Sequence, residues 1–180
     1  MTVAFPAENP PHGRPGARLV IGIGNEHRGD DAVGPLVARR LRPILMDVAR
    51  VVEADVGGAE LIDLWTGTSF VWVVDAARAG GPPGTMYRFE VGKEELPASL
   101  GSTSTHGVSL ADAVALGGVL GRLPTHLVIY GVEPRHLEMG AELSHPVKAA
   151  VEPLVRRIEG EVRSVQGAVW AEASVGGPDA

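Results

Sequence analysis

Two acidic side chains, Asp30 and Asp31, stand together at the end of the stretch Gly22-Ile23-Gly24-Asn25-Glu26-His27-Arg28-Gly29-Asp30-Asp31. A glycine-rich turn between a strand and a helix raises phosphate binding first. The dinucleotide fingerprint requires a third glycine where His27 stands. The phosphate-loop template accepts Gly24 and Gly29, then requires Lys and Ser/Thr where Asp30 and Asp31 stand. Two carboxylates repel a phosphate and cancel the attraction of a helix N-terminus for anions. The chemistry left to this loop is that of the acids themselves. Aspartate is a favoured helix cap, so one of the pair is expected to cap the following helix. The other then points into the adjoining crevice as a cation ligand.

Two further residues have the right chemistry. Asp75 closes the apolar run Phe70–Val74, and an isolated buried charge there is costly without a partner. An Asx-type turn at the strand end is the plain alternative. His106 sits in the small polar stretch Ser102-Thr103-Ser104-Thr105-His106-Gly107, just ahead of a helical pattern. Taken alone it is an ordinary loop histidine. Brought to one crevice, Asp31, Asp75 and His106 make a mixed oxygen and nitrogen set suited to zinc, nickel or a similar divalent ion. No HExxH or GxSxG pattern is present, and Ser104 and Ser109 flank His106 in sequence only. Trp65, Trp72, Phe70 and Phe89 read as core.

The elements that must position these residues alternate in type. Arg18–Ile23, Arg50–Glu53, Phe70–Val74, Thr85–Glu90 and Leu127–Tyr130 read as strands. Helical spacing runs from Val33 through Leu36, Val37 and Leu41, then near Ala59–Trp65, around Val108–Leu120, and from about Ser144. Pro153 falls inside the last pattern and predicts a kink or break there. The connection AARAGGPPG after Asp75 is too short for a crossover helix, so the strands at its two ends run antiparallel. This order predicts an α/β fold: a three-layer α/β/α arrangement around a twisted, mostly parallel sheet of about five strands, one of them antiparallel. In the common 2-1-3 strand arrangement, the loops starting at Gly24 and Asp75 border one crevice at the strand carboxyl ends.

Composition limits the alternatives. The chain has 180 residues, 44% hydrophobic and 21% charged, enough for one domain with a real core. It has no cysteine, which excludes disulfides, a thiol nucleophile and cysteine-ligated metal. A net charge of −6, with Arg39, Arg40, Arg42, Arg156 and Arg157 scattered on expected solvated helix faces, argues against nucleic-acid binding. The start, with Pro6, Pro10, Pro11 and Pro15 and no apolar run, reads as neither signal peptide nor membrane anchor. A cytoplasmic location is expected, with a disordered segment over 1–17, a single domain over 18–163 and a disordered tail over 164–180.

Four stretches in order, GIGNEHRGDDAVG, VVDAARAGGPPGTM, STHGVSLADAVAL and YGVEP with the following GAELSHPV, resemble the hydrogenase maturation proteases. The resemblance covers nearly the whole expected domain. It implies an α/β/α fold and an endopeptidase that removes a C-terminal peptide from the large-subunit precursor of a nickel–iron hydrogenase after nickel insertion. The family's metal-contacting and catalytic positions fall on Asp31, Asp75 and His106. The resemblance further implies that nickel arrives with the substrate precursor and is no permanent cofactor. A monomer with no nucleic-acid or membrane partner is expected. Many relatives carry Gly-Thr-x-Gly after the second strand, where this chain reads Asp55-Val56-Gly57-Gly58-Ala59-Glu60-Leu61. The change bears on how that rim meets the substrate. Asp31 also stands where some relatives have glutamate, so its carboxylate reaches one methylene less far. Two other readings use the same crevice: a metal-dependent hydrolase of similar fold acting on another peptide, and a non-cleaving assembly factor that binds the precursor's metal site.

Overall fold

The computed structural model describes residues 16–173, apart from 57, 95 and 98–108. The strands and α-helices among the described residues are β1 (Arg18–Ile23), α1 (Val33–Leu45), β2 (Arg50–Ala54), α2 (Ala59–Trp65), β3 (Phe70–Ala76), β4 (Met86–Glu90), α3 (Leu110–Val119), β5 (His126–Val132) and α4 (His145–Ala173). The five strands form one sheet in the order β2-β1-β3-β5-β4. Every pairing is parallel except β4 with β5. The expected fold class and the 2-1-3 arrangement are therefore found. The expected reversal of β4 is found as well, but its hydrogen-bonded neighbour is β5, which enters between β3 and β4 (Phe89↔Ile129 in register).

Strand alternation sends successive side chains to opposite faces, and each face meets its own pair of helices. Val20, Trp72, Val74, Val128 and Tyr130 pack against α1 and α4. Leu19, Ile21, Val71, Val73 and Ile129 pack against α2 and α3, where Trp65 is fully buried. Phe70 and Phe89 are partly buried against these clusters, so all four large aromatics serve the core as expected. In α1, Val33, Val37, Leu41 and Leu45 are all fully buried. Their gross transfer energy, on the order of 6–12 kcal/mol, outweighs a proline penalty of about 3 kcal/mol in the last turn at Pro43. Close approach of α1 to the sheet depends on Gly34, where a Cβ would run into the carbonyl oxygen of Ile23.

α4 corrects one expectation. It continues through Pro153 without a break. Pro153 and Ala149, whose carbonyl loses its amide partner, both lie on the exposed side, where water satisfies that carbonyl. The opposite side is held by Val147, Val151, Leu154, Ile158 and Val162, all buried. A polar anchor adds to this. Glu161 accepts from Trp72 Nε1 (3.1 Å), Tyr130 Oη (2.6 Å) and Arg88 Nε (2.9 Å), tying the helix to β3, β5 and β4. Arg39, Arg40, Arg42, Arg156 and Arg157 are exposed on α1 and α4, as expected. Residues 1–15 of the expected leading segment and 174–180 of the expected tail lie outside the described residues, whereas residues 164–173 of that tail are the end of α4 and not a disordered segment. No helix among the described residues is long and apolar enough to cross a membrane.

Candidate active site

The loop after β1 is folded by its own short-range polar bonds. Gly24 N–H extends the ladder to Ala54 O (3.1 Å), and Asn25 then organises the turn. Its carbonyl accepts from Arg28 N–H (3.1 Å), its side-chain Oδ1 accepts from His27 N–H (2.9 Å), and its own N–H donates to Asp31 Oδ2 (3.0 Å). Gly24 has φ +134°, and a Cβ there would strike the carbonyl oxygen of Asp31. A side chain at this position would push Asp31 away from the strand ends. Arg28 Nη1 lies 3.6 Å from Asp31 Oδ2.

Neither aspartate of the pair caps a helix, contrary to expectation. The 3-10 turn Gly29–Ala32 and α1 both begin without a side-chain cap. Asp30 is fully buried and reaches across the molecule instead. It accepts from Arg135 N–H (2.7 Å), His136 N–H (3.2 Å), Ser144 N–H (2.6 Å) and Ser144 Oγ (2.9 Å). These donors belong to the loop between β5 and α4, whose backbone amides need an acceptor once buried. A long-range partner of this kind outcompetes the local cap. Asp31 is thereby left on the other side of the loop, where its charge acts on Asp75.

Asp75 lies inside β3, one residue before its end, and is 3% exposed. Alternation puts it with Val71 and Val73 on the α2/α3 face, so it is no Asx turn outside the strand. Burial and then the negative charge of Asp31 push its carboxyl up to about 8, opposed by a bond from Ala76 N–H. Burial likewise raises Asp31, against the Asn25 amide and Arg28, and the charge of Asp55 adds to the rise. Asp31 and Asp75 are thus brought together as expected. A proton keeps such a pair tolerable in the free protein, and a cation can take the proton's place.

His106 lies outside the described residues. Among the described residues no three His, Asp or Glu side chains form a group able to hold a metal ion. Two oxygen donors, Asp31 and Asp75, therefore suit part of a divalent-ion shell, and the expected nitrogen donor is not among the described residues. Ser109 has a structural role. It caps α3 in a reciprocal box, with Asp112 N–H donating to Ser109 Oγ (3.1 Å) and Ser109 N–H to Asp112 Oδ2 (3.0 Å).

Three residues around the site were not singled out from sequence. Asn25 holds Asp31 by its N–H and Asp55 Oδ2 by its Nδ2 (3.1 Å). Asp55 follows β2 directly, and a strand-end acid beside β1 was the signal available. Glu133, buried after β5, accepts from Ala79 N–H (2.8 Å), Gly81 N–H (3.3 Å) and Tyr87 Oη (3.0 Å). It fastens the loop after β3 and so the rim beside Asp75. Its only mark in the sequence is its place within the YGVEP stretch, which gives no hint of these partners.

This geometry has relatives. The family model for hydrogenase maturation proteases matches residues 35–161. The chain belongs to the hydrogenase maturation protease family. It is 30% identical to the hydrogenase 2 maturation protease of Escherichia coli over 149 residues, 81% of this chain and 90% of that protein. It is 31% identical to the hydrogenase expression/formation protein HupD of Thiocapsa roseopersicina over 142 residues, 76% of this chain and 63% of that one. The solved structure of the hydrogenase maturating endopeptidase HybD from E. coli superposes with a TM-score of 0.68 at 25% identity, covering 82% of this chain and 93% of that one. At the level of the family, the expected maturation endopeptidase is met.

Proposed function

We propose that this hydrogenase maturation protease removes the C-terminal peptide from the large-subunit precursor of a nickel–iron hydrogenase after nickel insertion. It does so in the cytoplasm as a monomer, with the nickel belonging to the substrate. The observation that carries the reading is the pair Asp31 and Asp75, two buried carboxylates at the C-terminal edge of β1 and β3, one pushed up to about 8 by burial and then by the other's charge. Such a pair favours a cation over water. A nickel ion on the precursor would dock against these oxygens, with His106 as the expected nitrogen donor, and hold the scissile peptide beside them. Hydrolysis then needs a water whose oxygen bonds to the carbonyl carbon while one of the two carboxylates takes its proton. The C–N bond breaks and the leaving amine receives that proton.

The test uses purified protein with nickel-loaded and nickel-free forms of a large-subunit precursor, the products being weighed by mass spectrometry. Loss of a defined C-terminal peptide from the loaded form alone is the expected result. Equal cutting of both forms would overturn the nickel requirement. A lasting, uncut complex would overturn the protease reading.

A further inference from the structure

We propose that Arg78 and Arg135 form a carboxylate-binding subsite beside Asp31 and Asp75, which takes an acid group of the precursor's C-terminal segment. The inference rests on the proposed substrate and adds what selects it.

Position comes first. β3 and β5 are neighbours, with Asp75 opposite Gly131 and Ala76 opposite Val132. The loops that leave them start together, joined by Ala77 N–H to Val132 O (2.9 Å). Arg78 and Arg135 stand on those two loops, at the sheet edge that holds Asp75.

Their lack of partners comes second. Arg39, Arg40, Arg42, Arg88, Arg122 and Arg163 each lie on a carboxylate. Arg78 and Arg135 are exposed, and the side chain of neither has a hydrogen bond or ion pair among the described residues. Arg156 on α4 is equally bare, so what sets Arg78 and Arg135 apart is that they stand on adjoining loops at the strand ends that hold Asp75.

The third point is rigidity. Glu133 clamps the Arg78 loop through Ala79, Gly81 and Tyr87, and its backbone pairs with Gly84 and Thr85. Asp30 clamps the Arg135 loop through the backbone of Arg135 itself. Both cations therefore ride on backbone already fixed by a buried acid, which lowers the entropy lost on binding.

The chemistry follows from charge. The charges of Asp31 and Asp55 disfavour an acidic group near the cut. Two unpaired guanidinium groups at the rim reverse the local sign and offer planar forks that match a carboxylate. An Asp or Glu side chain of the excised segment and its terminal α-carboxylate share this chemistry.

The experiment is steady-state cleavage of nickel-loaded precursor by wild type, R78Q, R135Q, R78Q/R135Q and R78K/R135K across a range of KCl. Each single Gln variant should raise KM about fivefold to tenfold with kcat within twofold. The double variant should lose the salt dependence of KM that wild type shows, and the double Lys variant should keep it. Precursors with single acidic residues of the C-terminal segment changed to amides, and one with an amidated C-terminus, separate the two sources. The one that matches gives wild type the KM of the double variant and leaves the double variant unaffected. Unchanged KM in R78Q/R135Q while wild type cuts would overturn the inference, as would a fall in kcat alone. It would equally be overturned if no altered precursor reproduces the effect. Failure of wild type to cut loaded precursor would instead overturn the function beneath it. Melting curves confirm that the exposed substitutions leave the fold intact.

Discussion

Asp30 and Asp31 are adjacent and chemically identical, yet the fold gives them opposite tasks. Asp30 gives both its oxygens to the β5–α4 loop, whereas Asp31 keeps one oxygen on Asn25 and remains beside Asp75. Asp31→Asn is expected to lower cleavage of loaded precursor by about 10²-fold or more with little change in melting temperature, as is His106→Ala. Intact cleavage in either variant would refute their assigned roles. Asp75 makes a pH prediction. Its folded value of about 8 exceeds its ordinary value of 3.8, so the native state binds the extra proton between these limits. Its contribution to stability is complete below about pH 4 and lost as pH rises toward 8. With divalent ions removed, Asp75→Asn should melt at least a few degrees above wild type at pH 8, the gap closing by pH 4. A gap independent of pH would contradict the assignment.

At the scale of elements, the loops that follow β3 and β5 are bound down by two buried acids, Glu133 and Asp30. Removing the Asp30 carboxylate leaves the amides of Arg135, His136 and Ser144 without an acceptor. Asp30→Ala should therefore destabilise the protein by about 3 kcal/mol or more, well beyond a typical surface change. Ser144→Ala, which removes one hydroxyl donor, should destabilise by only about 1 kcal/mol. Urea midpoints of the two variants test the ranking, and equal values would show that the loop is held by other contacts. α3 supplies a contrast. Its start is specified locally by Ser109 and Asp112, whereas α1 starts without a cap and relies on its buried face.

For the whole molecule, the two layers of helices are held differently. The α2/α3 side rests on apolar packing around Trp65, while the α1/α4 side adds the carboxylate of Glu161 where α4 crosses β3, β5 and β4. Burial works to raise Glu161, but the bonds from Tyr130, Arg88 and Trp72 outweigh it and hold the carboxyl below its ordinary 4.5. Its stabilisation is present above that value and lost as pH falls through the lower folded value. Glu161 and Asp75 thus act on opposite limbs of the stability curve. Glu161→Gln should lower the melting temperature near neutral pH, and the difference from wild type should shrink below about pH 4.5. A constant difference down to pH 3 would mean that the Glu161 charge is not what anchors α4.

Strand and helix identities, the antiparallel β4, and the meeting of Asp31 with Asp75 were legible in the sequence, because each follows from a local pattern combined with the 2-1-3 strand order. The apolar run ending in Asp75 and the acid pair after Gly29 carry that information within a few residues. The tertiary structure alone decided the rest. Which of Asp30 and Asp31 is left beside Asp75 depends on amides more than a hundred positions away, at Arg135 and His136. No spacing rule reaches that far. The roles of Asn25, Asp55 and Glu133 likewise exist only once neighbouring strand ends lie side by side. Pro153 reads as a breaker locally and is tolerated because packing on the opposite side of α4 outweighs one lost, solvent-facing hydrogen bond. Local pattern determines what each segment becomes, and long-range hydrogen bonds between buried groups determine which of two identical side chains is left beside Asp75.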